Sequence, residues 1–113
     1  MAYPKELSYD TLRSLGFASV GAAYTAVGTA FTRPVRLLKI VNTTDINILV
    51  STNGTTDHDV VAANGFTLYD LTANKVRDEG AFFRSGLTIF VKREAGAPTS
   101  GNVYVTVIAG VPT

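Results

Sequence analysis

At 113 residues without a single cysteine, the chain is long enough to close one hydrophobic core, and it excludes disulfides, thiolate metal sites and a cysteine nucleophile. A formal net charge of +1 supplies no broad field for nucleic acid or an anionic membrane surface. Charged residues make up 17% of the chain, against about 25% in an ordinary soluble domain, so its surface is solvated largely by Thr, Asn, Ser and Gly or is covered by other subunits.

From the amino end, Met1–Glu6 lacks the basic-then-apolar order of a secretory signal. Ser8–Gly16 has the grammar of two helical turns, with Ser8 as N-cap, Leu12 and Leu15 on one face and Gly16 as the stop. Ser14 to Thr32 is free of charge, yet its three Gly and five Ser or Thr argue against membrane insertion. The expectation is an extended arm over residues 1–23, with room for that short helix, leading into a domain over residues 24–113 whose first strand is Tyr24–Phe31.

The centre is written in strands. Val35–Val41 is apolar on both parities apart from Arg36 and Lys39, as expected of a strand between two packed layers. Ile46, Ile48 and Val50 alternate with Asn47, Leu49 and Ser51, and Asn53-Gly54 signals a hairpin with a long connection through Asp59. Val60-Val61 begins a short strand, Gly65 marks a bulge or corner, and Phe66–Leu71 resumes the alternation. Lys75–Glu79 reads as a solvated loop, and Ala81–Phe83 as further strand material. Leu87, Ile89 and Val91 point inward on the next strand, and Val103, Val105 and Val107 on the last; with the loop 94–101 between them these two are expected to pair, with a flexible tip. Seven or eight short strands with regularly spaced turns predict an all-β fold, a single β-sandwich of jelly-roll-like or immunoglobulin-like kind.

Candidate chemistry is sparse. Asp57-His58-Asp59 joins the only imidazole to two carboxylates, but in extended chain residues 57 and 59 face one way and 58 the other, so a polar loop is expected rather than a metal site or a base with its orienting acid. Neither a GxSxG elbow nor a glycine-rich phosphate loop is present, so no enzyme, catalytic residue, metal or cofactor is expected. Arg33, Arg36 and Lys39 on one strand and Lys92 with Arg93 on another would form a basic strip if those strands were neighbours; edge protection is the simpler reading, and no nucleic-acid partner is expected. Leu12, Leu15, Phe17, Tyr24, Phe31, Tyr69 and Tyr104 are candidate interface residues, with core packing the alternative for the aromatics.

Asn42-Thr43-Thr44-Asp45, Val50–His58, Tyr69–Lys75, Phe90–Arg93 and Gly101–Val107 together resemble the small structural proteins of tailed bacteriophage virions, over Pro34 to Gly110. In size and expected sandwich the chain is most similar to decoration or cement proteins of the head, with head-to-tail or tail adaptors as rivals. The resemblance implies a non-enzymatic protein of the virion, made in the host cytoplasm. It also implies the major capsid protein or another virion protein as partner and a homo-oligomer, dimer or higher, in which Met1 to Gly28 pairs with a neighbour. A host-glycan-binding sandwich, using loops 53–59 and 96–101, is the reading from another class.

Overall fold

The computed structural model describes residues 5–71 and 83–112, which form a two-sheet β-sandwich. Nine strands follow one another: β1 Lys5–Tyr9, β2 Arg13–Gly16, β3 Thr25–Ala26, β4 Val35–Asn42, β5 Ile48–Ser51, β6 Asp59–Val61, β7 Gly65–Asp70, β8 Phe90–Arg93 and β9 Asn102–Pro112. The larger sheet runs β1-β9-β4-β7, with β2 continuing β1 along the same side of β9, and the smaller runs β3-β8-β5-β6. The strand pairs are antiparallel throughout.

Period-two patterning builds the core. Leu38 and Ile40 of β4 and Val103, Val105 and Val107 of β9 face Ile48 and Val50 of β5, Val61 of β6 and Val91 of β8. Burying each such side chain contributes about 1.5–3 kcal/mol. Val20, Val27, Phe31, Leu87 and Ile89 complete the cluster from connecting segments. Residues 27–31 are not a regular strand, yet Val27 N and Phe31 N donate to Ile89 O and Leu87 O, so they close the side of the smaller sheet.

Three expectations are corrected. The segment from Ser8 to Gly16 is not helical: Arg13 and Leu15 alternate inward opposite Val105 and Val103, while Ser14 and Gly16 point out. The only helical piece there is a 3-10 turn, Phe17–Ser19. Backbone pairing with the eleven-residue strand β9 outweighs a weak local preference, and residues 5–16 lie extended along the chain's own larger sheet. β8 and β9 do not pair; the loop 94–101 carries the chain from the smaller sheet to the larger, where β9 lies between β4 and the β1–β2 line. β4 is not sandwiched between two layers: Arg36 sits at a register shift, beyond which Leu37, Lys39 and Val41 face outward, away from the smaller sheet. The expected corner at Gly65 is present, where Asn64 adopts φ 55° and Gly65 N donates to Ala62 O as the chain changes sheets. Residues 72–82, with the charged patch and Ala81-Phe82, lie outside the described residues.

Candidate functional site: a locked loop end and an open sheet face

At one end of the sandwich the connections β4–β5, β6–β7 and β8–β9 meet, and side chains fasten them together. Asn42 is fully buried at the end of β4. Its amide nitrogen donates to Ile46 O, Val61 O and Ala62 O, and its oxygen accepts from Thr44 N and the Thr44 hydroxyl. A buried amide with every group engaged fixes a unique geometry, because any displacement leaves donors unpaired. Around it, Asn47 accepts from Ala63 N and donates to Glu94, and Asp45 accepts from both the backbone N–H and the hydroxyl of Thr99. The Thr99 hydroxyl, foremost, holds the Asp45 carboxyl below its ordinary value. Thr43 pairs with Asn102 through backbone and side chain, and Gly101, at φ 93°, lets β9 pass so near Thr43 that a Cβ would stand 2.2 Å from its carbonyl oxygen. The 94–101 connection is thus tied at both ends, and Ala95, Gly96 and Ala97 stand exposed above it as an uncharged crest.

Asp57, His58 and Asp59 each take a different partner. Asp57 accepts a 2.5 Å hydrogen bond from the Tyr24 hydroxyl and pairs at 3.5 Å with Lys92, whose ammonium lies 4.7 Å from the Tyr24 ring centroid. Those contacts, the Tyr24 hydroxyl first, lower the Asp57 carboxyl, while burial and the carboxylate push the Tyr24 phenol up to about 12. His58 Nδ1 accepts from Thr52 N, which tidies the loop. Asp59 turns inward and accepts from the Tyr69 hydroxyl on the opposite sheet. Among the described residues no three His, Cys, Asp or Glu converge as metal ligands would.

A crevice of about 310 Å³ opens between the sheets beside Asp59 and Tyr69. Its floor residues Leu38, Ile40, Val50 and Ile89 are at most 3% exposed, and Thr52, His58, Asp59, Tyr69 and Phe83 line the rest of it. Arg13 seals the opposite side of the sandwich. It is 4% exposed, lies 5.2 Å from the Phe31 ring centroid, donates to the carbonyls of Thr11, Thr29 and Ala30, and pairs with Asp10.

The candidate interface residues do not form one patch. Phe31 is a core residue, 2% exposed under Arg13, and Leu15 packs against the core. Tyr69 is half-buried and meets Phe83 edge to face. Tyr24 lies over the smaller sheet, while Leu12 and Phe17 are exposed at the β2 edge. Tyr104 alone stands on the outer face of the larger sheet, opposite Ser14 and Val41. Leu7, Tyr9, Leu37, Val41, Phe66, Leu68 and Ile108 share that face with it; their alternation is plain in the sequence, but which parity lacks a cover is not. The basic residues divide likewise: Lys39 is on this outer face and Lys92 on the outer face of the smaller sheet, so the two strands make no common strip. No helix among the described residues is long and apolar enough to cross a membrane.

The site is therefore a set of surfaces on an all-β sandwich. No family model, curated protein or solved structure matches the chain.

Proposed function

We propose that the chain is a non-enzymatic structural protein of a phage particle, a decoration or cement protein that binds across neighbouring capsid subunits and stabilises the head. The observation that carries this reading is the locked loop end. Asn42, Asp45, Asn47 and Thr99 hold three connections rigid beneath an uncharged crest, which presents a preformed contact at small entropic cost. A cement protein needs such contacts more than it needs affinity at any one of them, since symmetry repeats a weak contact over a shell. The likeness of the strand-end and turn segments to small virion proteins supports the same reading.

The test is to add the purified protein to empty phage heads, locate it by electron microscopy and measure occupancy for the wild type and for Ala97→Glu. Saturable decoration of the shell, lost when the crest is charged, is the expected result. A ring at a single vertex would make the protein an adaptor. No binding to heads, with a hit on a glycan array, would replace the reading with a sugar-binding module.

A further inference from the structure

The outer face of the five-stranded sheet gathers four of the seven large hydrophobic side chains that stand exposed among the described residues. Of the large hydrophobic side chains that stand exposed, Leu7, Tyr9, Phe66 and Leu68 all belong to it, at 53%, 73%, 67% and 49%. Leu37, Val41, Tyr104 and Ile108 fill the space between them, half-buried by one another. A shallow groove of about 280 Å³, lined by Lys39, Val41 and Phe66 among others, runs across one end.

We propose that a second copy of this chain covers this face, the two larger sheets packing against each other about a two-fold axis. Cross-strand register makes the face self-complementary. Its residues lie in four rows: Leu7–Gly110, then Tyr9–Ile108–Leu37–Asp70, then Thr106–Lys39–Leu68, then Ser14–Tyr104–Val41–Phe66. An axis along the strands, midway between β4 and β9, exchanges those two strands and exchanges β7 with the β1–β2 line. It sets Leu37 on Ile108 of the second copy and Val41 on its Tyr104, apolar against apolar. It also brings Lys39 to the Thr106 hydroxyl of the second copy and Phe66 over its Ser14, so the central pairs are apolar and the flanking ones mixed.

Area and charge agree with this occupant. The face presents Leu7, Tyr9, Phe66 and Leu68 at 49–73% exposure with half-buried apolar neighbours between them, a contiguous apolar surface of the kind that specific interfaces bury at ~800 Å² per partner. A net charge of +1 leaves little repulsion between copies. Aligned packing of two twisted sheets through alternating side chains is also the geometry that the sandwich already uses inside. Lys39 has no ion-pair partner among the described residues and is the one charge in the two central strands' share of the face, so it limits the affinity of the contact. The contact does not depend on any role at a shell.

Sedimentation equilibrium on the full chain tests the proposal, with circular dichroism confirming the fold of each variant. Wild type is expected to be a dimer at about 100 µM. F66E/L68E on β7 and, independently, V41E on β4 are expected to weaken it at least a hundredfold, so that one variant reports if the other fails to fold. K39L is expected to tighten the dimer about tenfold. V60E, on the outer face of the smaller sheet, is expected to change nothing. A monomeric wild type, a dimer indifferent to both F66E/L68E and V41E, a K39L dimer no tighter than wild type, or a dimer broken by V60E would each overturn the proposal.

Discussion

The Asp59 carboxylate of β6 accepts the Tyr69 hydroxyl of β7, a bond that spans from the edge strand of one sheet to the edge strand of the other. Both side chains line the crevice between the sheets, and Phe83 packs edge to face on the same ring at 5.9 Å. Tyr69→Phe keeps the ring contact and removes the donor. Because the pair is partly open to water, the expected loss is about 1 kcal/mol in urea denaturation. Tyr69→Ala also removes the ring, and its expected loss is about 3 kcal/mol. Equal losses for the two variants would mean that the ring contributes nothing.

Alkaline pH acts on the tyrosines. Burial, followed by a hydrogen bond to a carboxylate, raises both Tyr24 and Tyr69 above the ordinary value of 10.0, Tyr24 to about 12. The folded state holds these protons more tightly than the unfolded chain. The stability they represent is complete below pH 10 and drains away as pH climbs to about 12 and beyond. The melting temperature is expected to fall across that window, and Tyr24→Phe is expected to flatten the fall. Phenolate absorbance, followed in parallel, assigns the titration; a melting temperature flat from pH 10 to 12 in the wild type would contradict the linkage.

Arg13 is expected to be the most costly polar side chain on the β2 side of the molecule. Replacing it with Ala strands the carbonyls of Thr29 and Ala30, uncovers Phe31 and leaves Asp10 without its cation, for an expected loss of about 3–5 kcal/mol. Gly28 approaches the same side chain at φ 70°, where a Cβ would meet Arg13 Cγ at 2.7 Å, so Gly28→Ala is expected to cost about 1–3 kcal/mol. If the two losses add fully in the double variant, the glycine is not there to make room for the arginine.

The strands were legible because burial with period two leaves a plain mark: Val103, Val105 and Val107 point inward, as their alternation says. Partner choice leaves no such mark. The alternation of β8 and β9 is compatible with pairing, yet the loop between them passes over the end of the sandwich from one sheet to the other, because β9 is long enough to hold β4 on one side and β1 with β2 on the other. Arg13 was hidden for a related reason. Next to Ser14 and Leu15 it resembles a solvated helical residue, and only the return of residues 28–31 supplies the carbonyls that bury it. The scattering of Asp57, His58 and Asp59 could be read in part from extended-chain parity, but Tyr24, Tyr69 and Lys92, which claim the carboxylates, are remote in sequence.

That scattering yields a prediction about metals. Each group of the motif is already engaged: Asp57 by Tyr24 and Lys92, His58 Nδ1 by Thr52 N, and Asp59 by Tyr69. A cation gathering two of them would have to break these bonds, with no third His, Cys, Asp or Glu among the described residues placed to offset the loss. Millimolar calcium or zinc is therefore expected to leave the melting temperature unchanged, and His58→Ala to be equally indifferent to either ion. A rise in melting temperature that grows with ion concentration and disappears in His58→Ala would show that the loop rearranges around a metal, and would return the motif to the list of binding sites.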